Sequence, residues 1–167
     1  MKVLSNLELV ISIIVGLFAI IGGLISAYKI LKRKTPEVES KGIKDTYRIL
    51  FIDDKIFKVI TILRNHGWSN VDHVRDVESF EDSLVQSANA FFVDIHGVGK
   101  KLNYKDEGLG LAKDLKERFP DKKVVIYSNE PTGNMFHEAL KIADDTLPKT
   151  SDPTQFLQLV ETLSGYK

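Results

Sequence analysis

The chain has 167 residues, of which 43% are hydrophobic and 28% charged, a composition typical of a folded protein rather than a disordered one. Lys and Arg together number 23, and so do Asp and Glu, so no overall basic excess indicates a nucleic-acid partner, and we expect none. Cysteine is absent, which excludes a disulfide framework, a cysteine metal site and a cysteine nucleophile.

The first predicted element is a membrane anchor over residues 1–32. The twenty residues Leu9–Tyr28 carry no charge, and a helix of about 20 apolar residues spans the roughly 30 Å hydrocarbon core. Four basic residues follow in the segment KILKRK. Because basic flanks stay on the cytoplasmic side, we predict a single-pass membrane protein whose C-terminal part is cytoplasmic.

Other interpretations of this segment are a cleaved signal peptide and a buried helix. The apolar run is longer than a typical signal-peptide core, and its stronger basic cluster lies on the wrong side, which favours the anchor. Small residues recur along the segment at spacings of three and four, which would let a second copy approach and form a homodimer. Small residues are also common in membrane helices without such a role. The positions are Ser12, Gly16, Ala19, Gly23 and Ala27.

Residues 33–46 are polar, contain Pro36 and Gly42, and predict a linker. Residues 47–167 predict one domain in which apolar strand patterns alternate with helical patterns. The predicted strands are YRILFI, NVDHVRDV, AFFVDI, KKVVIYS and DTLPK. The predicted helices are KIFKVITILRNHG, ESFEDSLVQS, DEGLGLAKDLKERFP, GNMFHEALKIA and DPTQFLQLVETLSGY.

Two of these helices carry particular signals. The first predicted helix has Ile56, Val59, Ile60 and Leu63 at helical spacing. The last has Asp152 as a predicted N-cap, with a proline at the first turn. Apolar strands separated by helices imply a parallel sheet covered on both faces, which is a doubly wound α/β domain.

Polar residues lie at the ends of four of the five predicted strands: Asp53, Asp54, Asp94, Ser128 and Lys149. In a doubly wound sheet the carboxyl ends of the strands form the binding crevice, so these side chains are expected to converge. Three carboxylates can hold Mg²⁺, and a hydroxyl with an ammonium suits a phosphoryl group. The alternative for the acidic pair is a helix cap, which Asp54 alone could provide.

With these residues in this order, residues 47–166 resemble a response-regulator receiver domain. The family has an acidic pair after its first strand, a phospho-accepting Asp after the third, Ser or Thr after the fourth and Lys after the fifth. The resemblance implies a flavodoxin-like doubly wound five-stranded parallel sheet with strand order 2-1-3-4-5. This domain would follow the single transmembrane helix.

The resemblance also implies a mechanism and partners. Asp94 would accept a phosphoryl group from a histidine kinase, a phosphotransfer protein or a small acyl phosphate. Mg²⁺ would be held by Asp53 or Asp54, by Asp94 and by the backbone carbonyl of His96. Lys149 and Ser128 would contact the phosphoryl group, and Ser128 would alter the surface for a protein effector. Enzyme activity would be at most self-phosphorylation and autodephosphorylation.

The chain departs from the family in parts that transmit the signal. Gly97 and Val98 replace a Met–Pro pair, and the segment 97–106 is several residues longer than usual, with three lysines that could lie over the site or meet a partner. The other departures are Asn129, Thr146 and Thr150. Thr146 stands where the family often has Tyr or Phe. The altered loop and this lost aromatic residue favour an alternative hypothesis, a phosphorylation-independent pseudo-receiver that acts as a tethered interaction scaffold. A phosphohydrolase is disfavoured because its Asp-x-Asp arrangement is missing.

Overall fold

The computed structural model describes residues 42–129 and 137–167, which belong to the unit Ser40–Lys167. The predicted anchor Leu9–Tyr28 lies outside the described residues, as does the first part of the predicted helix GNMFHEALKIA. Within the two described ranges, no helix is both long enough and apolar enough to cross a membrane.

Strands and helices alternate along the described residues. The strands are β1 (Ile49–Ile52), β2 (Val71–Val74), β3 (Ala90–Asp94), β4 (Lys123–Ser128) and β5 (Asp145–Pro148). The helices are α1 (Val59–Asn65), α2 (Ser83–Ser87), α3 (Glu107–Arg118), α4 (Glu138–Ile142) and α5 (Pro153–Ser164). Residues 42–46, at the end of the predicted linker, are also helical.

The five strands form one parallel sheet in the order β2-β1-β3-β4-β5, which confirms the predicted topology. In the register, Ile52 of β1 pairs with Val74 and Val93, and Ser128 of β4 pairs with Pro148. Because all strands run in the same direction, their carboxyl ends lie along one edge of the sheet. The residues that follow them are thereby brought to that edge.

Alternate side chains of the strands enter two separate cores, one on each face of the sheet. Leu50 and Val93 lie in the core that includes buried residues of α2, α3 and α4. Phe51, Phe92 and Tyr127 lie in the other core, against α1 and α5. Strands buried on both faces explain why the strand segments are apolar throughout rather than alternating.

The first helix begins later than its apolar pattern predicts. It starts at Val59, and Ile56 is 79% exposed, so the prediction that Ile56 belongs to the helix and its apolar stripe is wrong. The backbone N–H of Lys55 donates a 2.9 Å hydrogen bond to Oδ1 of Asp53. This local contact turns the chain immediately after β1, and the helical spacing applies only to the residues beyond it.

The last helix begins as predicted, directly after Asp152, and ends at Ser164, two residues before the end of the predicted segment. The backbone N–H of Asp152 donates a 3.0 Å hydrogen bond to the side chain of Gln155, and the two residues form a capping box. Gly165 ends the helix with a φ of 73°, in the left-handed region that glycine adopts readily. The Asp152 N-cap prediction is therefore confirmed. Phe156 and Val160 of this helix are buried against the sheet.

Candidate functional site

The carboxyl edge of the sheet brings together the two acidic residues that follow β1 and the one that ends β3. Asp53, Asp54 and Asp94 each offer a carboxylate oxygen, and these oxygens lie within 4.8 Å of one another. In the described part of the chain, this is the group of acidic or histidine side chains that could hold a metal ion. Hard oxygen ligands at such separations fit Mg²⁺.

An open cavity of about 460 Å³ lies over this edge. Asp54 is exposed and Asp94 is 6% exposed, and both line the cavity, whereas Asp53 is 1% exposed and is not among the lining residues. The predicted site residues Ser128 and His96 also line it, as does Asn129, one of the departures from the family. The full lining is Asp54, Lys55, Asp94, His96, Gly97, Lys100, Glu107, Ser128, Asn129 and Lys149.

The ammonium group of Lys149 bridges the two buried carboxylates. Its Nζ lies 2.7 Å from Oδ2 of Asp53 and 2.6 Å from Oδ2 of Asp94. Burial lowers the pKa of Lys149, but its hydrogen bonds to the two carboxylates outweigh that effect and raise the pKa overall. The backbone N–H of Lys149 donates to the carbonyl of Ser128 across 2.9 Å, which holds the end of β5 beside β4.

The Asp53 carboxylate accepts hydrogen bonds from the Lys149 ammonium, the Tyr127 hydroxyl and the Lys55 backbone N–H. Tyr127 donates its hydroxyl hydrogen to Oδ2 across 2.7 Å, and the Lys55 N–H donates to Oδ1. Burial raises the pKa of Asp53, but the hydrogen bonds from Lys149, the Lys55 backbone and Tyr127 together lower it below its usual value. Asp53 is therefore held as a buried anion. On its main chain, the carbonyl of Asp53 lies 2.8 Å from Nε2 of His73.

The Asp94 carboxylate is less well compensated. Burial raises the pKa of Asp94, and the charge of Asp53 raises it further, while Lys149 and the backbone N–H of Ile95 lower it; the net pKa is raised. The Ile95 N–H donates to Oδ1 across 2.8 Å. Asp94 thus lines the cavity, and a cation bound nearby would stabilise its ionised carboxylate.

Two glycines allow the chain to approach the acidic residues closely. A Cβ on Gly97, whose φ is 85°, would lie 2.8 Å from Cγ of Asp54. A Cβ on Gly108 would lie 1.7 Å from the backbone oxygen of Asp94. The Gly108 N–H also donates to the carbonyl of Ile95 across 3.0 Å, so the first turn of α3 is packed directly onto the end of β3.

The remaining predicted residues lie at or near the edge of the cavity. Ser128 is buried, 4% exposed, while Asn129 and His96 are exposed. The role of the His96 carbonyl as a metal ligand stays a prediction. Thr146 is exposed and lines a second, mainly apolar cavity of about 190 Å³, which it shares with Ser128 and with Ile95, Ile126, Leu140, Leu147 and Pro148.

Three residues of the site were not identified from the sequence: Tyr127, Glu107 and Asp76. In the sequence, Tyr127 cannot be told from other residues of an apolar strand. Its hydroxyl donates to Asp53, which lies 74 positions earlier in the chain, so no local pattern indicates the contact. Glu107 accepts a 2.7 Å hydrogen bond from the N–H of Gly97 and lines the cavity. Asp76 binds the backbone of the loop between β3 and α3. The length of that loop was the sequence feature that could have indicated these contacts.

No protein-family model matches this sequence, and no curated protein sequence matches it. Solved structures do. A response regulator from Thermotoga maritima is 20% identical, with a TM-score of 0.54, over 72% of this chain and 99% of that chain. The receiver domain of NtrX from Brucella abortus is 23% identical, with a TM-score of 0.57, over 71% of this chain and 99% of that chain.

A third similar structure contains a phosphorylated residue and a bound metal ion. It is a response regulator from Burkholderia pseudomallei with a phosphorylated aspartic acid, a calcium ion and citrate. It is 21% identical, with a TM-score of 0.54, over 71% of this chain and 69% of that chain. At these identities the likeness establishes the fold, and the residues described here have the fold of response-regulator receiver domains.

Proposed function

We propose that this chain is a membrane-anchored signalling protein whose receiver-like domain accepts a phosphoryl group on Asp94 in the presence of Mg²⁺. One observation carries the proposal. Asp94 lies at the cavity with the Asp53 and Asp54 carboxylates within 4.8 Å and the Lys149 ammonium at 2.6 Å. Phosphoryl transfer to an aspartate requires a nucleophilic carboxylate, further carboxylates that hold a metal ion, and a positively charged side chain that contacts the phosphoryl oxygens.

In the proposed reaction an oxygen of Asp94 attacks the phosphorus of the donor. A P–O bond to Asp94 forms, and the bond between phosphorus and the leaving group breaks. The leaving group is a carboxylate if the donor is an acyl phosphate, or an imidazole that takes a proton from solvent if the donor is a phosphohistidine. Lys149 turns from Asp94 to an oxygen of the phosphoryl group, and Asp53 remains its second partner.

Asp54 and Asp94 are the residues that would hold Mg²⁺ directly at the cavity, together with the His96 carbonyl, and Asp53 would support them from beneath. The ion supplies positive charge to the phosphoryl oxygens. Ser128 then donates a hydrogen bond to the phosphoryl group. The surface near β5 would change as a result, and a protein effector would recognise that change.

The direct test is incubation with acetyl phosphate and Mg²⁺, followed by intact-mass measurement. Wild type should gain one phosphoryl group, and Asp94→Asn should gain none. A histidine kinase or phosphotransfer protein should serve as a second donor. If wild type gains no phosphoryl group from any of these donors, the proposed reaction does not occur; an adduct that persists in Asp94→Asn would place the acceptor elsewhere.

We also propose that Leu9–Tyr28 anchors the domain on the cytoplasmic side of a membrane. The uncharged run and the basic segment that follows it support this topology. A reporter fused after Lys167 that works only in the cytoplasm should be active. An inactive fusion, together with activity of a reporter that needs the opposite compartment, would reverse the topology and separate Asp94 from cytoplasmic kinases.

A second candidate function is a phosphorylation-independent interaction scaffold. Thr146 favours it, since this position lacks the aromatic side chain that the resemblance leads one to expect, and an apolar cavity of about 190 Å³ lies beside it. In that case a partner would bind wild type and Asp94→Asn equally, with or without acetyl phosphate. A pull-down that recovers the same partner only from phosphorylated protein would exclude the scaffold.

A further inference from the structure

The loop between β3 and α3, residues 97–106, is fixed on both sides of Lys100. Asp76, in the connection that follows β2, accepts hydrogen bonds from the backbone N–H groups of Gly99 at 2.6 Å and of Lys101 at 2.9 Å. It also accepts from the N–H of Val77 at 2.8 Å. A carboxylate with three N–H donors forms strong charge-assisted bonds. Lys100 therefore extends from a fixed piece of backbone although it lies in a long loop.

The contact that orients the Lys100 side chain in this structure is weak. Its Nζ lies 3.5 Å from Oε1 of Glu107, and the two side chains are 60% and 34% exposed. Exposed pairs of this kind contribute about 0–1 kcal/mol. Glu107 is held more firmly by the Gly97 N–H at 2.7 Å and has a φ of 47°, which non-glycine residues rarely adopt. An entering anion could therefore draw Lys100 away from Glu107 at small cost.

The charges around the cavity leave Lys55 and Lys100 available for an anion, and Lys100 is the one that extends from the loop fixed by Asp76. The lining contains the cations Lys55, Lys100 and Lys149, and Lys149 is already engaged by two buried carboxylates at 2.7 and 2.6 Å. The cavity volume of about 460 Å³ falls within the range of roughly 300–1,000 Å³ that small-molecule sites occupy. There is room for the donor's phosphoryl group and for the atoms attached to it.

We propose that Lys100 is a phosphodonor-binding residue. Its ammonium group holds an anionic oxygen of the donor's phosphoryl group while Asp94 attacks the phosphorus, and it forms no covalent bond itself. Asp76 fixes the backbone from which Lys100 extends, and Glu107 holds the ammonium group when no donor is present. This inference rests on the proposed function of Asp94. It assigns a role to the additional length of the loop.

The test compares Lys100→Ala with Lys105→Ala, a matched control. Lys105 lies in the same loop and carries the same charge, but it is exposed and is not a lining residue of the cavity. The initial rate of Asp94 phosphorylation is measured at low acetyl phosphate concentration with saturating Mg²⁺, and Mg²⁺ affinity is measured by calorimetry. We expect Lys100→Ala to slow phosphorylation about threefold to tenfold, as the loss of one partly exposed charged contact predicts.

The control and the calorimetry separate this role from others. Lys105→Ala should react at the wild-type rate, and Lys100→Ala should bind Mg²⁺ at least as tightly as wild type, because a cation near the acidic residues has been removed. Equal rates for Lys100→Ala and wild type, or equal slowing in both variants, would overturn the inference while Asp94 phosphorylation stands. Weakened Mg²⁺ binding that accounts for the lost rate would overturn it too. Absence of phosphorylation in wild type would remove the proposed function and this inference with it.

Discussion

The hydroxyl of Tyr127 donates a hydrogen bond to Oδ2 of Asp53 across 2.7 Å, between two side chains that are almost completely buried. The ring of Tyr127 packs edge-on against Phe51 at a centroid distance of 5.6 Å. Burial, together with the nearby Asp53 carboxylate, raises the pKa of Tyr127 well above its usual value, so the phenol is a hydrogen-bond donor at neutral pH.

Tyr127→Phe should keep the ring packing and remove this donor from a buried anion. A hydrogen bond to a charged group contributes about 1.5–3 kcal/mol, so the free energy of unfolding in urea should fall by about that amount. Tyr104→Phe is the control, because Tyr104 donates to Asp114 across 2.5 Å at a partly buried position and its removal should cost less. Equal losses for the two variants would contradict the special role of the Asp53 contact.

Lys149→Ala should destabilise the domain and make its stability depend strongly on Mg²⁺. The substitution leaves Asp53 and Asp94 without the ammonium that lies 2.7 and 2.6 Å from them. Removal of one partner from a buried ion pair costs about 3–5 kcal/mol, and a cation bound to the folded state recovers part of that. Urea unfolding with and without Mg²⁺ should show a larger Mg²⁺ effect in the variant than in wild type. The same Mg²⁺ effect in both proteins would refute the prediction.

Asparagine substitutions of Asp53 and Asp94 should change stability in opposite directions at neutral pH. The folded-state pKa of Asp53 is lowered from 3.8, so its charge stabilises the fold above that pH, and this stabilisation is lost as the pH falls through the lowered pKa. The pKa of Asp94 is raised from 3.8, so its charge destabilises the fold once the pH rises through the raised value.

Without divalent cations, Asp53→Asn should therefore be less stable than wild type at pH 7, and Asp94→Asn more stable. Both differences should shrink as the pH is lowered, and the Asp94 difference should disappear below 3.8, the usual value for an aspartate. Thermal unfolding of the three proteins across this range measures the effect. If Asp94→Asn is less stable than wild type at neutral pH, the prediction is wrong. The ion pair between Asp94 and Lys149 would then stabilise the fold by more than the burial of the Asp94 charge destabilises it.

Gly108→Ala should disrupt the site, although alanine is ordinarily the better helix residue by about 1 kcal/mol. The added Cβ would lie 1.7 Å from the backbone oxygen of Asp94, so α3 or the end of β3 must move. Overpacking costs about 1–3 kcal/mol or more, and Mg²⁺ affinity should fall as Asp94 shifts. Gly42→Ala is the control, since nothing lies within 4 Å of a Cβ there. Unchanged calorimetric Mg²⁺ binding in Gly108→Ala would argue against the coupling.

The residues at the carboxyl ends of the strands were predictable from the sequence. Asp53, Asp94 and Lys149 could be placed together because a parallel sheet aligns the carboxyl ends of its strands, whatever the helices between them do. The start of α1 was not predictable in this way. Ile56 continues the helical spacing of Val59 and Ile60, and the side-chain contact between Asp53 and the Lys55 N–H that delays the helix depends on local geometry rather than on hydrophobic period.

Contacts between residues far apart in the sequence could not be predicted from the hydrophobic pattern either. Asp76 is one of many polar residues in a turn, and its hydrogen bonds to Gly99 and Lys101 exist only because β2 and the loop after β3 end on the same side of the sheet. Tyr127 follows the apolar pattern of its strand, which reports burial and not the partner of a hydroxyl group. Periodicity thus predicts which residues are buried, while their hydrogen-bond partners follow from the tertiary arrangement.

The strand order places β5 at one side of the sheet, where no strand of residues 42–129 or 137–167 pairs with its outer hydrogen-bonding groups. Such a side can nucleate sheet extension between molecules. Pro148 has no N–H to donate to an incoming strand, and Asp145 and Thr146 are exposed polar residues beside it. Intermolecular strand addition along β5 is therefore disfavoured. When several such domains meet at high local concentration, the β5 side of the sheet is thus protected against aggregation by strand pairing.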